Sequence, residues 1–158
     1  MKRIGRNREY VYIYKLRTMH PYSEYLQEYI HDRYNLDDSG KFKNDFRITG
    51  WGKVFRKLWL DELPQLLNLF RGEVSLVGTR ALSEHYFRLY PKEMQDMRCR
   101  VKPGLVPPYY ADMPESFDDI IASERNYLLK RQKNRFTTDF RYFFRALYNI
   151  MFKNARSR

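Results

Sequence analysis

Only two short stretches of this chain carry strand character. "YVYIYKL" (Tyr10 to Leu16) is dense in aromatic and β-branched residues, and "VSLVG" (Val74 to Gly78) is a brief apolar run. The remaining apolar residues recur at helical spacing. Two short runs can build no more than a small β element, which must then be covered by helices. The pattern therefore predicts an α+β fold, a mostly helical single domain over residues 1–158. That length suffices for one ordinary core.

The helical segments can be placed from their spacing and punctuation. Tyr25, Leu26, Tyr29 and Ile30 share a face of a helix over Ser23 to Tyr34, with Ser23 as a candidate N-cap. "GWGKVFRKLWL" (Gly50 to Leu60) reads as amphipathic, with Trp51, Phe55 and Leu58 on one side and Lys53, Arg56 and Lys57 among them. Ser83 to Tyr90 and Lys92 to Val101 are helical and separated by Pro91. "KPGLVPPYYADMPES" (Lys102 to Ser116) reads as a long proline-rich loop. Its Tyr109 and Tyr110 are either packing residues or rings that stack on a base or sugar. "SFDD" (Ser116 to Asp119) resembles a capping box opening a helix to about Lys130. The last helix, "TDFRYFFRALYNIMFK", aligns Phe140, Phe143, Phe144, Leu147 and Ile150, with Arg141, Arg145, Lys153, Arg156 and Arg158 around them. That stripe either faces the core or lies on anionic lipid as an interfacial helix.

Charge narrows the partner. The net charge is +11, which favours an anionic partner: nucleic acid, an acidic lipid surface or a phosphorylated substrate. Aromatic residues at 17% argue against disorder. No zinc-finger, RNP or KH signature supports nucleic acid. Cys99 is the only cysteine, which excludes an internal disulfide and a cysteine zinc site and fits a reducing compartment. No apolar run approaches the roughly 18 residues of a membrane span. The first fifteen residues are basic and lack the apolar core of a signal peptide. His20, His31 and His85 have no metal-ligand spacing, and the polar loop Asn35 to Asp45 has no calcium-loop spacing.

The segment with the sharpest chemistry is "LWLDELPQLLNLF", residues 58 to 70, where Asp61 and Glu62 stand side by side in an apolar stretch of a cationic chain. Pro64 suits the first turn of a helix, so the simplest parse puts Asp61 near the N-cap of a helix running through Leu69 and stopped by Gly72. On pattern alone two readings stand. Asp61 is only a cap and Glu62 a favourable first-turn acid, or Asp61 is a nucleophile toward phosphorus. In the second reading Glu62 holds a divalent cation, and Lys15, Arg17, Arg56 and Arg80 neutralise a diphosphate.

"YIYKLRTM", "DFRITGWGKVFRKLWLDELPQLLNLFRGEVSLVGTR" and "RCRVKPGL" occur in the order found in the bacterial sugar transferase family, and together the chain resembles that family. The resemblance implies a monotopic polyprenyl-phosphate phosphoglycosyl transferase, with amphipathic membrane-interface helices, on the cytosolic face of the bacterial inner membrane. It implies that Asp61 attacks a nucleotide diphosphate sugar, by family a UDP-sugar, to form an aspartyl phosphosugar that a polyprenyl phosphate then takes up. Glu62 assists with Mg²⁺, to which Asp61 is a further candidate ligand. Lys15, Arg56 and Arg80 match basic positions of the family's motifs, and Asp45 and Arg47 match its D-x-R-x-T segment. The chain departs from the family at Thr79 and Ala81, where prolines are usual, and at "PGLVPP". The resemblance also implies a membrane-inserted segment before the matched region. The match begins near Met1, which points to a longer parent protein, to a lost anchor, or to one that a partner supplies. The competing readings are a catalytically inactive relative that binds membrane or partners, and a basic nucleic-acid-binding module.

Overall fold

The structure is a computed structural model that describes residues 1–23, 25–26 and 45–153. The expected helix over Ser23 to Tyr34 and most of the polar loop after it lie outside the described residues. The chain forms two compact units, one from residues 1–14 and 65–153, the other from residues 15–64.

The larger unit holds both sheets. β1 (Lys2–Ile4) and β2 (Tyr10–Tyr12) pair antiparallel, with Arg3 opposite Val11. The strand expected over Tyr10 to Leu16 is thus shorter than its composition suggests. β3 (Ser75–Val77) and β4 (Gly104–Val106) pair in parallel, Ser75 opposite Gly104 and Val77 opposite Val106. A strand therefore sits inside the segment read as a loop. The reason is local: a Cβ on Gly104 would lie 2.0 Å from the Gly78 nitrogen, so only glycine lets the two backbones approach this closely.

Helices cover the β element, and the fold is α+β and mostly helical, as expected. Seven α-helices occur among the described residues. α1 (Gly50–Lys57) belongs to the smaller unit. In the larger unit are α2 (Gln65–Phe70), α3 (Glu84–Arg88), α4 (Lys92–Cys99), α5 (Tyr109–Asp112), α6 (Phe117–Lys133) and α7 (Arg135–Phe152). α5 is the second regular element inside the expected loop. Gly72, at φ +69°, ends α2 as a C-terminal glycine should, its N–H bonded to the Leu69 carbonyl. Ser116 and Asp119 form the reciprocal capping box that opens α6.

Two buried polar side chains organise this unit. Asn68 on α2 is fully buried; its amide donates to the Tyr12 carbonyl at 2.8 Å and its oxygen accepts from the Tyr14 N–H at 3.1 Å. It thereby satisfies the backbone where β2 ends. Asn149 on α7 donates to the Tyr110 and Ala111 carbonyls at 3.0 and 2.8 Å, and so ties α5 to the last helix.

The structure excludes the core-facing reading of the α7 aromatic stripe. Its inward face is Thr138, Tyr142, Ala146 and Asn149, all buried. Phe140, Phe144 and Leu147 of the expected stripe are exposed, while Phe143 and Ile150 are half-buried. Phe136, Tyr148, Met151 and Phe152 extend the exposed apolar surface. Such an expanse of exposed aromatic side chains is far from what a helix packed by that face into a core would show. None of the described helices is long and apolar enough to cross a membrane.

Candidate active site

The acid pair lies in the smaller unit, and the turn that holds it differs from the one the sequence suggests. α1 is capped by Thr49, whose hydroxyl accepts from the Gly52 N–H at 2.9 Å. Gly52 presses against the Thr18 carbonyl, where a Cβ would stand at 2.1 Å. The helix stops at Lys57, and Trp59 reverses the chain at φ +59°, a left-handed conformation that costs a bulky residue about 1–2 kcal/mol. Leu60–Glu62 then forms a 3-10 turn. Asp61 sits inside this turn, and the next α-helix begins only at Gln65. Asp61 is therefore not the N-cap that Pro64 suggested. Pro64 has no N–H to place in a helical ladder, and the chain uses it between the turn and the helix.

The turn buries its first acid. Asp61 is 2% exposed. The Leu16 N–H donates to the Asp61 carbonyl at 3.0 Å, which fixes the Lys15 backbone beside the turn. Lys15 Nζ then reaches both acids, lying 2.8 Å from Asp61 Oδ2 and 3.3 Å from Glu62 Oε1. Toward Glu62 it donates a hydrogen bond. Toward Asp61 the contact is ionic without hydrogen-bond alignment, so Asp61 Oδ2 is buried with no hydrogen-bond donor among the described residues.

A second layer of charge backs the pair. Arg56 Nε donates to Thr18 Oγ1 at 2.8 Å. Burial lowers the Arg56 pKa, and the nearby Asp61 and Asp45 carboxylates act against that shift. Arg47 is buried and grips Asp45 with two side-chain hydrogen bonds of 2.8 and 2.6 Å, and with its own N–H at 3.0 Å. These bonds hold the Asp45 carboxyl below the usual carboxylate range. Charges therefore alternate from Lys15 through Asp61 and Glu62 to Arg56, Asp45 and Arg47. Arg17 is exposed on the segment that carries Lys15.

Arg80 belongs to the larger unit. Its guanidinium donates to the Tyr109 hydroxyl at 2.8 Å, and its carbonyl accepts from Arg98. Tyr109 thus holds a cation, while Tyr110 is buried against it in an edge-to-face pair with centroids 4.7 Å apart. Arg98 is itself buried in an ion pair with Glu124 and stacks on the Tyr90 ring at 4.8 Å.

Three residues that shape these sites were not singled out by the sequence: Thr18, Arg98 and Glu124. Thr18 carried a faint signal as the hydroxyl in "KLRTM", but the arginine it holds lies 38 positions away. Arg98 stands in "RCRVKPGL" and Glu124 inside an amphipathic helix, where a charged residue ordinarily signals a solvated face.

What the arrangement can do chemically follows from its parts. A buried carboxylate in contact with an ammonium, beside a second acid and with Arg56 nearby, suits binding and transfer of an anionic group such as a phosphate. The same two carboxylates present oxygen ligands toward one point, and Asp61 Oδ2 has no hydrogen bond to lose, which fits a hard divalent cation completed by water and phosphate oxygens. No cluster of three or more acidic, histidine or cysteine side chains that could hold a metal ion occurs among the described residues, so those residues would offer two ligands here.

Comparison with known proteins agrees with the sequence motifs. The family described as bacterial sugar transferase matches residues 1–153. The exopolysaccharide production protein ExoY of Rhizobium meliloti is 42% identical over 111 residues, 66% of this chain and 48% of that protein. The undecaprenyl-phosphate galactose phosphotransferase of Salmonella typhimurium is 38% identical over 109 residues, 66% of this chain and 23% of that protein. The galactosyl transferase CpsE of Streptococcus agalactiae is 32% identical over 131 residues, 80% of this chain and 29% of that protein. In each case the matched region takes in less than half of the relative.

Proposed function

Because the chain belongs to the bacterial sugar transferase family, we propose that it moves a phosphosugar from a nucleotide diphosphate sugar to a polyprenyl phosphate and so starts a surface glycan on a lipid carrier. The observation that carries this reading is the buried Asp61, with Glu62 beside it and one ammonium touching both. Relatives named for undecaprenyl phosphate, for galactose phosphate transfer and for UDP-glucose as donor support the substrate classes, with a UDP-sugar as donor.

In this mechanism an Asp61 carboxylate oxygen attacks the sugar-proximal phosphorus. An oxygen–phosphorus bond forms to Asp61, the bond to the bridging oxygen breaks, and nucleoside monophosphate leaves with that oxygen. An oxygen of the polyprenyl phosphate then attacks the same phosphorus and frees Asp61. Lys15, Arg17 and Arg56 stabilise the charge that gathers on the phosphoryl oxygens. Asp45, held by Arg47, favours the charged form of Arg56. Asp61 and Glu62 would hold Mg²⁺, which when bound shields the diphosphate charge. A buried nucleophile suits this chemistry, because water that reached the covalent intermediate would hydrolyse it.

The lipid acceptor calls for a membrane surface, and each unit carries a suitable face. On α1, Trp51 and Val54 are exposed beside Lys53 and Lys57, and Leu58 just past the helix is exposed with them. On α7, Phe136, Phe140, Phe144 and Met151 are exposed among Arg141, Arg145 and Lys153. Aromatic residues within a basic rim are the chemistry of a helix lying at an anionic lipid interface. On the proposed reading the protein works at the cytosolic face of the inner membrane, and these faces support an anionic lipid surface as its seat.

Two measurements test the reading. Incubated with a panel of nucleotide diphosphate sugars, Mg²⁺ and detergent-dispersed polyprenyl phosphate, the protein is expected to release nucleoside monophosphate from one donor; turnover of none would count against it. In vesicle sedimentation, Phe140→Glu with Phe144→Glu is expected to weaken binding to anionic vesicles by at least about tenfold, since each buried ring is worth roughly 1.5–3 kcal/mol. Unchanged sedimentation would remove α7 from the interface.

A further inference from the structure

We propose that Lys15 is the resident counterion of the acid pair, and that it yields this position to a divalent cation and moves to the donor's phosphate. The proposal rests on the reading of Asp61 and Glu62 as the transfer site and adds how that site is loaded.

The geometry is specific. A single ammonium lies 2.8 Å from Asp61 Oδ2 and 3.3 Å from Glu62 Oε1. A cation bridging these same two oxygens would be held at that point. Asp61 is 97% buried at its side chain and Glu62 85%, from side-chain exposures of 3% and 15%. Lys15, at 20%, is the most exposed of the three. A divalent cation cannot occupy the same position as the ammonium, because the two would repel at contact distance without intervening water. Binding of one therefore expels the other.

The local structure is suited to such an exchange. The backbone of this segment is pinned by the Leu16 N–H to the Asp61 carbonyl, so the side chain can swing while its root stays beside the turn. Lysine fits this task better than arginine, since its charge sits at the end of a flexible four-carbon stem and needs no planar bidentate partner. Among the described residues the ammonium's hydrogen bond is to Glu62 and its contact with Asp61 is unaligned, so little directional bonding is lost on departure. Charge also balances. The two carboxylates carry two negative charges, so one ammonium leaves the pair one charge short and a divalent cation neutralises it, while the displaced ammonium meets a new anion when the diphosphate arrives. The exchange thus couples cation binding to donor binding.

This idea separates from a simpler one, in which Lys15 is only a phosphate ligand or a structural tie. Mn²⁺ binding, followed by electron paramagnetic resonance on the chain without nucleotide sugar or lipid, tells them apart. Lys15→Met keeps the stem and removes the competitor, and is expected to bind Mn²⁺ at least about fivefold more tightly than the wild type. Lys15→Arg keeps the charge and is expected to stay near the wild-type affinity. Adding Asp61→Asn to Lys15→Met should cancel the gain and so locate the ion. Equal or weaker Mn²⁺ binding by a folded Lys15→Met variant, or no binding by either protein, overturns the proposal. On the unaltered chain, Mg²⁺ is expected to move the ¹⁵N resonance of the Lys15 ammonium, and a resonance indifferent to Mg²⁺ overturns it as well. Neither readout uses turnover. Failure here would therefore leave Asp61-dependent release of nucleoside monophosphate standing, and failure of that release would leave the Mn²⁺ comparison intact.

Discussion

Asp61→Asn is expected to reduce nucleoside monophosphate release by at least about a thousandfold, the scale seen when a nucleophile is removed and binding groups remain. The thermal midpoint is expected to change little by comparison. Asparagine has nearly the shape of aspartate, so the 3-10 turn over Leu60–Glu62 keeps its packing. The turn's backbone tie, from the Leu16 N–H to the residue 61 carbonyl, does not involve the side chain. Lys15 keeps Glu62 as a partner at 3.3 Å. Activity and fold should therefore separate, and circular dichroism beside the release assay checks both. A variant that still turns over would end the covalent mechanism. Glu62→Gln is the contrasting case: it leaves the nucleophile in place, so residual turnover with a raised Mg²⁺ requirement is expected, read from the Mg²⁺ dependence of the rate.

The parts of this site that could be read from the sequence were those that act within a few residues of one another. The helix opening at Gly50, read to Leu60 and ending at Lys57, the capping box at Ser116 and the C-terminal glycine at 72 follow from local rules, and all three occur. The 3-10 turn did not follow, because Trp59 adopts a left-handed conformation that its own preferences oppose, and the surrounding structure must impose it. β4 was invisible for a different reason. "GLV" flanked by prolines looks like a loop until Gly78, 26 positions earlier, provides a backbone that can approach it. The stripe on α7 was seen, but periodicity alone cannot say which solvent an apolar face meets. The fixed point was the opposite face, where Thr138 and Asn149 are buried and polar and would have been read as outward. Long-range polar pairs such as Arg56 with Thr18, and Arg98 with Glu124, have no local signature at all.

Arg98→Ala is expected to be the most destabilising single change in the larger unit. Arg98 and Glu124 are both buried, and the guanidinium also donates to the Arg80 carbonyl and covers the Tyr90 ring. Removing one partner of a buried pair leaves the other uncompensated, at a cost of roughly 3–5 kcal/mol, or on the order of 10 °C in the midpoint for a chain of this size. The loss should depend on pH with a definite sign. Burial already pushes the Glu124 carboxyl up, with Arg98 acting against that shift. Without Arg98 the folded-state pKa rises further, so the folded protein holds a proton that the unfolded chain releases. Stability from that proton is fully present below the unfolded glutamate pKa and is lost as pH rises through the folded one. The variant is therefore expected to be closer to wild type at about pH 5 than at about pH 8, measured by thermal unfolding at each pH. A double variant, Arg98→Met with Glu124→Leu, removes both charges and is expected to recover much of the stability, because apolar residues of similar volume can replace a buried ion pair. It cannot restore the bond to the Arg80 carbonyl. If turnover stays low in a double variant that is stable again, the bond to the Arg80 carbonyl matters beyond stability; if turnover returns with stability, the pair serves the core alone.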